Sequence, residues 1–250
     1  MNTIKFNTIV LHQVVPDQIS NFEDITTQAF FHILNRSEKN IFSIDEVYKL
    51  HAKQDKLPIC LTFDDGFLSD HDIVLPALKE REYKATFFIV QDYIGKDGYM
   101  EKDHIIELSN AGMQIGSHSK THPNFLKIDT KAKEYELSSS KSFLEELIGK
   151  EVTTFSFPYG FIDKSSIDAV FAAGYKYCCS SKHGLCSTNS NVIARNSINA
   201  SFSYEKISKD LSPTLKKQLY WLSEDLTKSS LKYMSPRFYN TIRGLITKFQ

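Results

Sequence analysis

The stretch Leu61-Thr62-Phe63-Asp64-Asp65-Gly66 joins the end of an apolar segment to two adjacent carboxylates and a glycine. The apolar residues begin at Ile59, directly after Pro58, and have the length and composition of a buried β-strand. Adjacent strand residues point to opposite faces, so two neighbouring aspartates rarely share a site unless the strand ends and the backbone turns. In α/β folds, this edge of the sheet is where ligands bind. A plain Asx turn is the alternative, because Asp-Asp-Gly is also typical of turns.

A second polar cluster follows another predicted strand, which begins at Met113. It reads Gly116-Ser117-His118-Ser119-Lys120-Thr121-His122-Pro123 and places two histidines four residues apart. Such a pair is more often incidental, but the two rings converge on one cation if the chain between them forms a helical turn or a tight loop. With a carboxylate from the first stretch, the histidines would form a metal site that leaves room for water.

The composition is that of an ordinary globular protein. The chain has 250 residues, of which 41% are hydrophobic, enough for one large domain or two small ones. The 30 Lys and Arg residues balance 30 Asp and Glu residues, so we expect no nucleic-acid partner. The four cysteines lack CxxC spacing and predict neither a disulfide framework nor a cysteine metal site.

The N-terminal segment does not have the pattern of a secretory signal, because Asn2, Lys5 and Asn7 interrupt it. No stretch approaches the roughly 18 apolar residues of a membrane-spanning helix. From these features we expect a cytoplasmic protein.

Strand and helix signals alternate along most of the chain. The predicted strands are 9–11, 59–63, 85–90, 113–117, 152–157, 175–179 and 192–194, and the predicted helices are 26–36, 43–51, 70–82, 102–110, 130–148 and 165–173. This alternation predicts parallel strands with helical crossovers, and about seven strands favour a closed, distorted barrel over an open sheet. Polar residues follow the strand ends repeatedly, namely His12, Asp64, Asp65, His118, His122, Tyr159 and Arg195. Their convergence on one rim predicts an active site there.

The pattern changes near residue 203. We therefore predict a barrel over 1–203 and a helical C-terminal extension over 204–250, packed on or beside the barrel, with helices near 213–228 and 236–249. From Glu205 onward there are nine Lys or Arg against four Asp or Glu, an excess of five positive charges. The extension either covers the barrel or forms a basic amphipathic surface for peripheral contact with anionic lipid or a partner.

Three motifs in the chain are Thr62-Phe63-Asp64-Asp65-Gly66, His118-x-x-x-His122 and Phe157-Pro158-Tyr159-Gly160. They resemble the first three motifs of the polysaccharide deacetylases, the NodB-like carbohydrate esterases. The flanking stretch Lys84-Ala85-Thr86-Phe87-Phe88 matches as well, and the resemblance covers roughly Ile9 to Ile198. It implies an α/β fold, a distorted (β/α)7-type barrel, and metal-dependent removal of an N- or O-acyl group from a sugar.

The resemblance also implies a role for each matching residue. The ligands of one divalent ion would be Asp65, His118 and His122. Zinc is our first choice for this ion, with cobalt or nickel as alternatives. Asp64 would be the general base. The backbone N–H of Tyr159 would donate to the oxyanion, and Pro158 beside it would contact the substrate.

The chain departs from the family pattern in two respects. The third motif usually carries an arginine that orients the catalytic aspartate, but Ser156 stands at that position. We hypothesise that Arg195 takes over this role, with an ordinary surface arginine as the alternative. The family's usual acid lies in a Leu-x-His motif, and none follows Tyr159. Because the first strand ends at His12, we predict that His12 is the general acid, with His183 as the alternative.

Together these features predict a metal-dependent hydrolase that removes an N-acyl group, with N-acetyl as first choice, from an amino sugar. Because we expect a cytoplasmic protein, a nucleotide- or lipid-linked precursor in surface-glycan synthesis fits better than a mature cell-wall polymer. The alternatives are an N-deformylase or another C–N amide hydrolase of this fold, and an inactive relative that binds glycan. The sequence leaves the oligomeric state open.

Overall fold

The computed structural model describes residues 3–16, 18–51 and 54–231, with side chains up to residue 223. The strands in these residues are β1 (Lys5–Leu11), β2 (Val14–Val15), β3 (Ile25–Thr26), β4 (Ile41–Phe42), β5 (Ile59–Phe63), β6 (Thr86–Ile89), β7 (Gln114–Ser117), β8 (Thr154–Ser156), β9 (Tyr177–Cys179), β10 (Leu185–Ser187), β11 (Val192–Ile193) and β12 (Asn196–Ser197). The helices are α1 (Thr27–Arg36), α2 (Ile44–Tyr48), α3 (Leu75–Glu80), α4 (Lys102–Asn110), α5 (Thr130–Ile148), α6 (Lys164–Ala172), α7 (Tyr204–Leu211) and α8 (Leu215–Leu231).

One curved sheet forms a nearly closed, barrel-like structure with helices around it. Its strand order is β10-β1-β5-β6-β7-β8-β9-β11, with β4 also paired to β5 and β12 to β1. The pairs from β1 through β11 are parallel, as the alternation of strands and helices predicts, and β10 is antiparallel to β1. No helix lies between β9 and β10, so this connection is not a βαβ crossover. The predicted fold class, an α/β distorted barrel, is confirmed.

Alternation along β5 determines where Asp64 points. Leu61 and Phe63 belong to the main apolar core, which the strands share with the helices. Cys60 faces the opposite way, into a smaller apolar cluster that the strands share with α2. Because side chains alternate with period two, Thr62 and Asp64 continue the inner face that begins at Cys60.

The predicted helix 70–82 consists of two elements. Residues Asp70–Val74 form a π-helical turn, and α3 follows from Leu75. Pro76 is the second residue of α3 and directly follows the π-helical turn, so the irregular turn lies where proline lacks the N–H of a regular helical hydrogen bond.

The chain divides into two compact units, Met1–Ser212 and a second that begins at Pro213. Helix α7 therefore belongs with the barrel, beyond the boundary that we predict at 203. Its Tyr204 ring stacks on His32 of α1 at 4.9 Å. The domain division itself stays a prediction.

Helix α8 corresponds to the predicted helix near 213–228, whereas the helix predicted near 236–249 lies outside the described residues. Among the described helices, none combines the length and the hydropathy that crossing a bilayer requires.

Candidate active site

Three side chains meet just past the carboxyl ends of β5 and β7, namely Asp65, His118 and His122. One ligand atom from each lies within 4.8 Å of the other two. Oδ1 of Asp65 is 3.5 Å from Nε2 of His118 and 3.4 Å from Nε2 of His122. These are the three residues for which the sequence predicts a shared metal ion.

The backbone at Asp65 explains how two adjacent aspartates reach one site. Asp65 adopts φ 75° and Gly66 follows with φ 79°, so the chain turns sharply as β5 ends. Aspartate tolerates this left-handed region better than most residues, and glycine enters it without steric cost. The turn lets Asp65 project into the same crevice as Asp64 rather than to the opposite face.

The two histidines are held by different means. His118 directly follows β7, and its Nδ1 donates to the carbonyl oxygen of Ser156 at 2.7 Å. This bond leaves Nε2 unprotonated and facing Asp65 in the neutral ring. His122 lies on a tight loop in which Ser119 has φ 70° and His122 itself has φ 62°. The chain between the two histidines is thus a tight loop, one of the two conformations in which we expect both rings to converge on one cation.

The electrostatics of the three residues fit a cation. Burial lowers the pKa of His118 to about 3 and also lowers the pKa of His122, so both rings are in the neutral form that binds metals. Burial raises the pKa of Asp65 to about 6, and its buried Oδ1 has no hydrogen-bond partner among the described residues. A divalent ion would satisfy this oxygen and both ring nitrogens. The ligand roles stay a prediction.

Asp64 forms a buried, bidentate ion pair with Arg195. Nη1 of Arg195 donates to Oδ1 of Asp64 at 2.6 Å, and Nη2 donates to Oδ2 at 2.7 Å. Burial alone would raise the Asp64 pKa, but the charge and hydrogen bonds of Arg195 outweigh it and hold the pKa well below its usual range. Asp64 is therefore ionised, with Oδ2 3.8 Å from Nε2 of His118.

Ser156 lies beside this ion pair, at the position where the family pattern has arginine. Its hydroxyl accepts from Nη2 of Arg195 at 2.8 Å and approaches Oδ2 of Asp64 at 3.3 Å. Arg195 has almost no exposed surface, so it is not an ordinary surface arginine. The geometry is the one that our hypothesis for Arg195 requires, and its effect on catalysis stays a prediction.

His12 leaves the barrel next to Asp64. The Asp64 amide donates to the carbonyl oxygen of Leu11 at 3.0 Å, so the two chains are in register where His12 follows. Nε2 of His12 is 3.7 Å from the Glu23 carboxylate, and Nδ1 is buried without a partner among the described residues. His183 lies in the loop between β9 and β10. The choice between them as general acid stays a prediction.

The third motif forms a tight turn at the mouth of the site, in which the Gly160 amide donates to the carbonyl oxygen of Phe157 at 2.8 Å. Pro158 is buried, whereas Tyr159 adopts φ 60°, is 60% exposed and lies edge-on to His122 at 4.7 Å. Gly160 has no room for a side chain, since a Cβ would come within 1.8 Å of the Ser181 hydroxyl. This crowding requires glycine at position 160, where the turn packs against Ser181.

A row of aromatic rings beside His122 was not predicted from the sequence. Tyr93 lies 6.0 Å from His122, Tyr99 lies 4.8 Å from Tyr93, and Phe67 stacks on Tyr99 at 5.0 Å. The available signal was position, because Tyr93 comes shortly after β6 ends. Half-buried aromatic rings beside a polar centre are typical of pockets for organic ligands.

Asp70 is a second residue without a sequence signal. It is fully buried, and neither carboxyl oxygen has a hydrogen-bond partner among the described residues. Burial first, and then the charges of Asp65 and Asp64, raise its pKa well above the usual range. A neutral Asp70 adds no third negative charge beside these two carboxylates.

Comparison with known proteins assigns the chain to a family. The profile of the polysaccharide deacetylase family matches residues 51–178, about half of the chain. The chain belongs to this family, whose members are carbohydrate deacetylases.

Individual relatives agree with this assignment. The peptidoglycan-N-acetylglucosamine deacetylase of Bacillus cereus is 29% identical over 114 residues, which are 45% of this chain and 40% of that protein. The poly-beta-1,6-N-acetyl-D-glucosamine N-deacetylase of Staphylococcus aureus is 25% identical over 158 residues, 58% of this chain and 54% of that protein. The chain spans about half the length of the curated relatives it matches.

Solved structures support the fold. The Streptococcus pyogenes deacetylase PplD, in complex with acetate, aligns with a TM-score of 0.77 at 19% identity. The alignment covers 85% of this chain and all of that chain. At 19% sequence identity, this similarity is evidence for a shared fold only.

Proposed function

We propose that this protein is a metal-dependent N-deacetylase of an N-acetylated amino sugar. The observation that carries the proposal is the meeting of Asp65, His118 and His122 at one point, with the ionised Asp64 beside them. A divalent ion at this point, with zinc as first choice, would polarise the acyl carbonyl and activate water.

The side chains divide the remaining work of amide hydrolysis. Asp64 accepts a proton from the attacking water, and the Arg195 guanidinium holds both of its oxygens while leaving lone pairs available. The Tyr159 N–H donates to the oxygen that becomes negative. His12 gives a proton to the sugar nitrogen as the C–N bond breaks, so that acetate and a free amine leave.

A sugar substrate also agrees with the aromatic rings at the mouth of the site. Tyr159 and Tyr93 both lie beside His122, and Tyr99 lies beside Tyr93. Such rings bury the apolar faces of a ligand, while the polar groups between them orient it. The N-acetylated sugar is either linked to a nucleotide or lipid, as we predict from the sequence, or part of a polymer of the kind named for the two relatives.

The test uses one enzyme preparation and a panel of substrates. Protein stripped with a chelator and reloaded with zinc is incubated with poly-β-1,6-N-acetylglucosamine, peptidoglycan fragments, a nucleotide-linked and a polyprenyl-linked N-acetyl amino sugar, and N-formyl counterparts. Free acetate, formate and product mass are measured. We expect equal amounts of acetate and free amine from one class of carrier. Formate alone would identify a deformylase, and no release from any substrate by zinc-loaded protein would favour an inactive binding protein.

A further inference from the structure

The loop that carries His122 needs support from outside itself. Residues Ser119 and His122 both have positive φ, a conformation that costs non-glycine residues free energy unless other contacts impose it. Within the loop, the Ser119 hydroxyl accepts from the His122 amide at 3.0 Å, and Ser117 accepts from the Ser119 amide at 3.2 Å. These bonds secure the ends of the loop but not the peptide groups between them.

The middle of the loop is bonded to a carboxylate on α5. Oε2 of Glu136 accepts from the backbone amides of Lys120 and Thr121, at 2.9 and 2.8 Å. Oε1 accepts from the Thr121 hydroxyl at 2.7 Å. Glu136 is 7% exposed, and its three donors belong to two consecutive residues that immediately precede His122.

A buried carboxylate in the middle of a helix is costly unless its oxygens are bonded. Within the described part of the chain, Glu136 forms no ion pair, so the loop amides and hydroxyl supply its hydrogen bonds. Glu136 accepts from the N–H groups of two successive peptides, whose carbonyl oxygens, on Ser119 and Lys120, accept from the amides of Gln91 and Asp92 at 3.2 and 2.9 Å. The bonds to Glu136 are charge-assisted and therefore stronger than the neutral hydroxyl contacts elsewhere in the loop.

We propose that Glu136 is a positioning residue that holds the loop 119–122 in the conformation that brings Nε2 of His122 to within 3.4 Å of Oδ1 of Asp65. Glu136 then sets the affinity of the site for its ion without touching it. The proposal rests on the proposed function, because it takes His122 as a metal ligand. Residues that orient metal ligands commonly contribute 10–100-fold to affinity.

The test compares Glu136→Gln with Glu134→Gln, an exposed position on the same helix. Zinc affinity is measured by competition with a chromophoric chelator, and cobalt spectra report the number of ligands. An amide in place of the carboxylate loses the charge and one acceptor, so Glu136→Gln should bind zinc about 10–100-fold more weakly, whereas Glu134→Gln should match the wild type. Equal zinc affinity of Glu136→Gln and wild type would overturn the proposal.

A second measurement separates this proposal from the proposed function. Hydrogen exchange of the Lys120 and Thr121 amides is followed in metal-free protein, where we expect faster exchange in Glu136→Gln only. If the wild type itself binds no zinc, the proposed metal site is wrong. In that case hydrogen exchange alone tests the positioning role of Glu136. Unchanged exchange at both amides would overturn its positioning role, and faster exchange at these amides alone would support it.

Discussion

Asp64 and Asp65 are neighbours of the same residue type with different proposed tasks. Asp64 directly follows β5 on the inner side of the sheet, and Arg195 keeps its carboxylate ionised. The Oδ1 atom of Asp65 faces the two histidines instead. The difference comes from one backbone angle, φ 75° at Asp65, which costs an ordinary residue roughly 1–2 kcal/mol. In the proposed function, this backbone conformation makes Asp65 a metal ligand while Asp64 acts as the base.

Replacing Asp64 with Asn tests this division. The variant loses the proton acceptor but leaves Asp65 and both histidines in place, so turnover should fall about 10²–10⁴-fold. Zinc content, measured by mass spectrometry of the metal after dialysis, should match the wild type. A variant that loses zinc and regains activity with excess zinc would show that Asp64 is a ligand.

Replacing His12 with Ala tests the proton donor, with His183→Ala as the matched control. Loss of the acid should slow hydrolysis of the amide strongly, because an amine leaves poorly without a proton. An activated ester, whose leaving group needs no proton, should be affected much less. Near-normal amide turnover in His12→Ala, or a larger loss in His183→Ala, would reject His12 as the acid.

At the scale of elements, long buried segments were predictable and very short ones were not. The segment that ends at Phe63 is a continuous apolar run, and the helix closed by Gly149 carries a helical period. Strands β2, β3, β4 and β12 have two residues each, too few for any period, and were not predicted, whereas β11, equally short, lies within the strand predicted at 192–194. The pairing of Asp64 with Arg195, 131 residues later, depends on closure of the sheet and was only a hypothesis. Glu136 gave no signal, because a glutamate within a helix usually faces solvent.

Helix α7 is expected to stabilise the barrel. Ile207 and Leu211 are buried, and Asn7 of β1 donates to the Asp210 and Leu211 carbonyl oxygens at 2.7 and 3.1 Å. We predict that Ile207→Ala lowers the free energy of unfolding by about 2–5 kcal/mol. The exposed Glu205→Ala on the same helix should change it far less. If urea denaturation shows that both variants change the free energy of unfolding equally, α7 does not unfold cooperatively with the barrel.

His71, in the π-helical turn, is expected to make stability depend on pH. His71 contacts Asp72 at 2.8 Å and Glu107 at 2.9 Å. Partial burial lowers its pKa, but the hydrogen bonds to Glu107 and Asp72 raise it more, so the net pKa lies above 6.5. A raised pKa in the folded state means that the stabilisation is complete below about pH 6.5 and is lost as pH rises through the folded pKa.

The corresponding experiment compares wild type with His71→Gln. The difference in free energy of unfolding, measured in urea at several pH values with chelator present, should be largest on the acid side and shrink as pH rises. A difference that stays constant, or grows with pH, would contradict the assignment to His71.

At the scale of the whole molecule, closure of the sheet assembles the site. Strand β12 lies parallel to β1, with Asn196 opposite Ile9. Arg195 therefore reaches Asp64 from the end of the barrel sequence, while His12 follows β1, the strand paired with β5, at its beginning. The lipid contact predicted for the basic extension stays a prediction, because residues 232–250 lie outside the described part of the chain.

The most direct test of a metal-dependent deacetylase follows metal binding and catalysis in one titration. Chelated protein receives zinc in small steps, and acetate release from the substrate found in the panel is measured at each step. We predict that the rate rises with bound zinc to a plateau at one ion per chain, and that Asp65→Asn and His122→Gln need far more zinc or never reach it. Full acetate release by the chelated protein, or an unchanged titration in both variants, would contradict a metal-dependent reaction at Asp65, His118 and His122.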